Sequence, residues 1–130
     1  MSQDYLKHVR NDRFAQLLGI EVVEVRPGYG LVEMSVGEKH LNGIGTVQGG
    51  ALFTLADYAF AVACNAEGVV TVAINASISF FKAPQGRVIR AEAKEESGSR
   101  KVCGYRVEVK DEDGTLVASF SGLGYRKSGE

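Results

Sequence analysis

Tryptophan is absent from this chain of 130 residues, and proline occurs only twice. So little proline excludes a proline-rich linker and argues against a disordered segment. Cysteine is equally scarce: Cys64 and Cys103 stand far apart in apolar surroundings. Their spacing matches no zinc or redox motif and predicts buried, reduced thiols in a cytoplasmic protein, although sequence leaves a disulfide between them open. An excess of one charge sign is lacking too. A formal net charge of -1 gives no electrostatic footprint for nucleic acid. No apolar run approaches the ~20 residues needed to cross a membrane. The first residues, Met1 to His8, mix charges without an apolar core, so they do not read as a secretory signal.

What is present is an ordinary globular composition of a size that suits one domain over residues 1–130. Apolar side chains at Leu6, Val9, Phe14, Leu17 and Leu18 space out a short amphipathic helix from about Asp4 to Leu18, with Gly19 as its stop. Ile20–Val25 and Leu31–Val36 read as two strands joined through Pro27-Gly28-Tyr29-Gly30. An irregular glycine-rich stretch from His40 to Gly50 precedes a strongly apolar helix, Gly49 to Glu67, closed by Gly68. Four strand-like runs follow: Val69–Phe81, Val88–Glu95, Val102–Lys110 and Leu116–Tyr125. The Asp113-Gly114 pair marks the last hairpin. These four runs predict a meander. The whole order predicts an α+β fold, a curved antiparallel sheet of five or six strands wrapped around one long helix. That helix is too apolar for one sheet face to cover, which predicts at least a dimer.

Asp57 is the only charged residue between Leu41 and Ala66, within the most apolar helical stretch. A carboxylate there costs roughly several kcal/mol unless it is paired, hydrogen-bonded or protonated. One reading makes it a catalytic acid, base or nucleophile. The other places it at a wet crevice or subunit interface, capping backbone.

The loop before the helix contains Gly43-Ile44-Gly45, but the spacing fits neither a dinucleotide-binding turn nor a P-loop, and strands in a meander do not make a doubly wound sheet. Gly49-Gly50 instead opens a helix. Glycines let a ligand approach backbone closely, and the first helical N–H groups have no internal partner and carry the positive end of the dipole. That is an oxyanion site in the making. Asp57 lies about 10 Å further along the same helix by its rise. One chain therefore cannot apply both groups to one carbonyl, whereas two chains about a two-fold axis can.

The string His40-x-Asn42-x-x-Gly45-x-x-Gln48-Gly49-Gly50, continued by Leu55-Ala56-Asp57, closely resembles the hotdog-fold acyl-CoA thioesterases of the phenylacetate-degradation (PaaI-like) branch. Ile78-Ser79-Phe80-Phe81-Lys82-Ala83-Pro84 and the Asp113–Ala118 hairpin resemble that family as well. The resemblance covers nearly the whole chain. It implies a hotdog fold, a homodimer that forms the active site, a homotetramer built from such dimers, and hydrolysis of an aryl- or medium-chain acyl-CoA without metal or redox cofactor. It further implies that the Gly50 N–H polarises the thioester carbonyl and that Asp57 of the partner chain acts as general base or nucleophile. Asn42 and Gln48 would position thioester or water, and Thr54 would bond the Asp57 carboxylate or the water. His40, Gly49, Phe53, Tyr58 and Asn75 are candidate substrate contacts. Lys82, Arg87 and Arg100, with Arg90 and Lys101, are candidates for the CoA phosphates, each being otherwise an ordinary solvated charge. His40 reads equally as a loop residue bonded to backbone, and Phe53 and Tyr58 as core.

One position departs from the family: Gln48 stands where a histidine is usual. Glutamine donates and accepts hydrogen bonds but carries no proton charge near neutral pH. That departure sustains a competing reading, a non-catalytic acyl-CoA-binding protein, against which the retained Asp57 speaks. A hydratase or dehydratase would need the missing histidine and ranks below both.

Overall fold

The computed structural model describes residues 2–127. The expected N-terminal helix is two helices, α1 (Ser2–Arg10) and α2 (Arg13–Leu18). Asp12 divides them. Its backbone is extended, and its Oδ1 accepts the Phe14 and Ala15 N–H groups at 3.1 and 3.0 Å. A capping aspartate ends one helix and starts the next because its side chain replaces the missing backbone acceptors. Gly19, at φ +77°, closes α2 in the left-handed region.

Strands β1 (Ile20–Arg26) and β2 (Tyr29–Ser35) form the expected hairpin, with a bulge at Val23. A 3₁₀ turn (Glu38–His40) and a tight loop lead to α3 (Gly49–Asn65), which ends where Gly68 takes φ +95°. Strands β3 (Thr71–Phe80), β4 (Val88–Gly98), β5 (Val102–Lys110) and β6 (Leu116–Arg126) complete one six-stranded antiparallel sheet in the order β1-β2-β4-β5-β6-β3. This is the hotdog arrangement that the resemblance implied, with one correction. The meander contains only β4, β5 and β6, while β3 crosses to the far edge and pairs with β6. Residues 81–87 make that crossing. Seven residues reach ~23 Å, and three strand spacings need only ~14 Å. The crossing is pinned over the β5–β6 turn. Asp111 Oδ2 accepts the Gln85 N–H at 3.0 Å, and Glu112 Oε1 accepts that of Arg87 at 2.6 Å.

The sheet closes around α3. Val32, Met34, Ile89, Ala91, Ala93, Val107, Val109 and Phe120 point inward from the strands and are fully buried, against Leu55, Ala56, Ala59, Phe60, Val62 and Ala63 of the helix. Small residues let helix and strands approach closely. At Gly30, an added Cβ would stand 2.7 Å from Val62 Cγ2 and 2.9 Å from the Ala59 carbonyl. Gly122 and Gly124 leave room for the Phe60 ring in the same way. That ring in turn packs edge-on against Tyr105 at 5.5 Å. Each fully buried aliphatic or aromatic side chain contributes roughly 1.5–3 kcal/mol, so packing rather than intrinsic propensity holds α3 together.

The two edges of the sheet differ. Both edge strands are bulged, β1 at Val23 and β3 at Ile74, and β1 also carries the Arg26–Glu24 ion pair. β3 is exposed from Val72 to Ser77 on both faces, with Ile74 56 % accessible, and its outer backbone groups have no strand beside them.

Replacing Gly30 by Ala forces a methyl group against the helix backbone as well as against the packed Val62 side chain. The expected cost is ~1–3 kcal/mol, as for other overpacked sites, read as a lower midpoint in urea unfolding. An unchanged midpoint would mean that α3 is not seated against β2 as described.

Candidate active site

Buried residues occupy most of α3. What stays open is one stripe at helical spacing that starts at Gly49 and Gly50 and continues through Phe53, Thr54, Asp57 and Ala61. The stripe begins at the helix start, where Gln48 caps through its backbone. Its carbonyl accepts the Ala51 and Leu52 N–H groups at 3.0 and 3.3 Å, and its side chain makes no cap bond. Among the described residues, no acceptor meets the N–H of Gly49 or Gly50. Two donors therefore point outward at the positive end of a 17-residue dipole. Gly50 is exposed, and the Gln48 amide oxygen lies over it, 2.8 Å from where a Cβ would stand. The Phe80 ring closes the other side, 3.1 Å from the corresponding point on Gly49.

The preceding loop is rigid because Asn42 organises it. Its Oδ1 accepts the N–H of Ile44 at 3.0 Å and of Thr46 at 3.1 Å, and its Nδ2 donates to Thr46 Oγ1 at 2.9 Å. Gly45, at φ +84°, makes the reversal possible. His40 fixes the base of the loop. It is 2 % exposed, its Nδ1 accepts the Gly37 N–H at 2.9 Å, and its Nε2–H donates to the Leu18 carbonyl at 2.8 Å. Both ring nitrogens are spent on backbone, so His40 has none to offer a substrate, and of its two expected roles the structural one holds.

Asp57 is half-buried on the open stripe. Its carboxyl is raised above the ordinary aspartate value, first by burial and then by the negative charge of Asp12. No hydrogen bond from the described residues offsets this. Thr54, expected beside that carboxylate, donates its hydroxyl to the Gly50 carbonyl at 2.8 Å.

A groove of about 570 Å³ opens at the helix start. Gln48, Gly50, Phe53 and Thr54 line one side, and Phe14 and Leu17 of α2 the other. Phe53 meets the expectation of a pocket wall, held edge-on against Phe120 at 5.5 Å. A second hollow of about 530 Å³ lies on the outer face of the sheet. Its charges include the exposed pairs Arg90–Glu33 and Lys110–Glu108, and its one buried acid, Asp111, spends both oxygens on the Gln85, Asp113 and Thr115 N–H groups, so the chemistry favours the helix start.

The other candidates scatter. Tyr58 is 5 % exposed and donates its hydroxyl to the Val9 carbonyl at 3.2 Å, which makes it the anchor of α1 instead of a substrate contact. Asn75 is exposed on edge strand β3, opposite Leu123. Lys82 and Arg87 lie in the crossing segment, beyond the end of β3 that reaches Gly49. Arg100 sits in the β4–β5 turn, at the Glu67 end of α3 some ~25 Å away by helix rise, so one protomer does not bring it to Gly50. Asp12, Phe14 and Leu17 were not assigned to the site from sequence. The capping position of Asp12 was the available signal. Among the described residues no His, Cys, Asp and Glu cluster has metal-binding geometry, and no helix is long and apolar enough to cross a membrane. Cys64 and Cys103 are both free and buried.

The Thioesterase superfamily matches residues 44–118, the stretch from the loop to the last strand. The acyl-coenzyme A thioesterase PaaI of Escherichia coli K12 is 35% identical over 120 residues, 92% of this chain and 86% of that protein. The structure of E. coli PaaI superposes with a TM-score of 0.91 at 33% identity, covering 98% of this chain and 93% of the other. A variant of the phenylacetic acid degradation protein PaaI from Thermus thermophilus superposes with a TM-score of 0.84 at 39% identity, covering 89% and 100%.

The raised Asp57 carboxyl has a consequence for stability. The folded chain holds that proton more tightly than the unfolded chain, so stability falls as pH rises from the unfolded value, ~3.9, through the folded one. The penalty persists above both. Asp57→Asn should therefore raise the thermal midpoint at pH 7, and its advantage should shrink towards pH 4. Calorimetry at the two pH values checks this, and a stabilisation independent of pH would refute the burial penalty.

Proposed function

The chain belongs to the thioesterase superfamily and is a thioester hydrolase, and we propose that it cleaves an aryl- or medium-chain acyl-CoA at a site shared by two protomers. The observation that carries this reading is the pairing, on one open stripe, of two unpartnered helix N–H groups with a half-buried carboxylate two turns on. Seven residues of rise, ~10 Å, keep these groups from one carbonyl within a chain. The bare β3 edge supplies the remedy. Two β3 strands joined antiparallel about a two-fold axis extend the sheet and set the two α3 helices side by side in opposite directions, which brings one helix start towards the middle of the other. Pairing of two such dimers gives the tetramer of the same proposal. Reduced Cys64 and Cys103 fit a cytoplasmic setting.

In this arrangement the thioester carbonyl accepts the Gly50 N–H, and the helix dipole favours the negative charge that grows on its oxygen. Asp57 of the partner protomer acts in its ionised form. As general base it takes a proton from water, whose oxygen attacks the carbonyl carbon. The C–S bond then breaks, and the proton passes to the departing thiolate. As nucleophile it attacks directly and forms an anhydride that water opens. Gln48, lying over Gly50, orients water or thioester without adding a titratable group. Asn42 keeps the loop in register through hydrogen bonds already formed within the chain. The acyl group faces Phe53, Phe14 and Leu17, an apolar and partly aromatic wall.

Thiol release from a panel of acyl-CoA esters tests the reading. Turnover should be highest for aryl or medium-chain acyl groups. In Asp57→Asn it should fall by ~10²–10⁴, the usual worth of a positioned base, with the affinity for a non-hydrolysable thioether analogue retained. Binding of the analogue without turnover of any ester by the wild-type chain would favour a non-catalytic binding protein instead. In single turnover in ¹⁸O-labelled water, label in the Asp57 carboxylate would identify the nucleophilic route, with water opening the anhydride at the Asp57 carbon, because a general base acquires none.

A further inference from the structure

Asp12 does more than divide two helices. Its backbone N–H donates to the Val9 carbonyl at 3.1 Å, and the Tyr58 hydroxyl donates to the same oxygen at 3.2 Å. Two donors on one acceptor lie within a few ångström of each other, so the turn between α1 and α2 is docked on α3 at the residue adjoining Asp57. Oδ1 of Asp12 is held by the Phe14 and Ala15 N–H groups, which orients the carboxylate. Among the described residues no cation pairs with it.

The other charges near Asp57 are few. The α1 helix contributes Arg10, whose charge acts on Tyr58. On α3 itself the titratable neighbours are Tyr58 and Cys64, both neutral at physiological pH because burial raises them. The strands packed against the middle of α3 offer Val32, Met34, Ile89, Ala91, Ala93, Val107 and Phe120, all apolar. Their nearest inward charges, Glu95 and Arg126, join Glu67 beyond the far end of the helix. Asp12 is thus the charge placed to act on Asp57 from outside its own helix, in line with its repulsive effect on that carboxyl.

We propose that Asp12 is a positioning residue for Asp57: its capping carboxylate, anchored through Val9 and Tyr58, holds a fixed negative charge against the reacting carboxylate and sets the acid limit of turnover. This rests on the reading of Asp57 as the group that must be ionised. The sign follows directly. A negative neighbour makes Asp57 harder to ionise, so removing it lets Asp57 ionise at lower pH, whether Asp57 serves as base or nucleophile.

Asn and Ser cap helices about as well as Asp, so Asp12→Asn and Asp12→Ser keep the start of α2 and delete only the charge. In both, the acid limb of kcat/KM against pH should move to lower pH, the direction that removal of a negative neighbour dictates. The shift should diminish in high salt, with the thermal midpoint close to that of wild type. Acid limbs that coincide with wild type, in folded variants and with Asp57→Asn inactive, would overturn the proposal. Should Asp57→Asn remain active, the reading of Asp57 itself fails. The Asp57 carboxyl titration followed by ¹³C NMR in wild type and Asp12→Asn then decides the electrostatic claim alone: a lower midpoint in the variant sustains it, an equal midpoint rejects it.

Discussion

The structure depends on the burial of a helix that is apolar nearly all round. A flat sheet face covers one stripe of such a helix and leaves the rest wet. Curling six strands around α3 covers most of its circumference, and the curl works because glycine and alanine stand where strands and helix come closest, at Gly30, Ala91, Ala93, Gly122 and Gly124. What one sheet does not cover is the stripe from Gly50 to Ala61. The candidate site is therefore the remainder of a packing problem, and its position follows from how far the sheet reaches.

That remainder carries little ionisable chemistry. His40 is locked between two backbone partners, Gln48 bears no titratable group, and Asn42 is occupied with its own loop. The helix start contributes partial charge and no proton. The ionisable group left on the open stripe is Asp57, whose surroundings are apolar apart from the docked turn that carries Asp12. A site of this kind depends strongly on the placement of single dipoles and single charges, because among the described residues the open stripe holds no second acid or base to compensate for one that is displaced.

Much of this was legible in the sequence, and the failures have physical causes. Alternation and turn residues located every strand to within a few residues, because side-chain period and glycine conformation are local properties. They say nothing about which strand lies beside which. Phe80 and Val88 look like the ends of a hairpin, yet the seven residues between them cross two strands, held by Asp111 and Glu112, whose role depends on contacts 25 or more residues away in the chain. Apolar spacing from Leu6 to Leu18 was continuous across a break that one capping side chain imposes. Asp57, Gly50 and Gln48 stood out because their chemistry conflicts with their neighbourhood. Tyr58 misled because an aromatic beside a catalytic candidate looks like a pocket wall, and only the fold reveals the Val9 carbonyl waiting for its hydroxyl. Arg100 is an ordinary cation in sequence, and its distance from the helix start is a property of the sheet alone.

The unequal edges of the sheet carry a consequence for assembly at high concentration. A strand edge is a valence: each bare one can accept one neighbour. A sheet with two bare edges is a monomer of a linear polymer, growing at both ends like a fibril. This sheet ends in β1 and β3, each with a bulge, and differs in that β1 also carries an ion pair whereas β3 is exposed on both faces. Joining two copies along β3 consumes that pair of edges and leaves the two β1 edges outermost, so the product stays a finite particle only while the Val23 bulge and the Arg26–Glu24 pair deny β1 a neighbour.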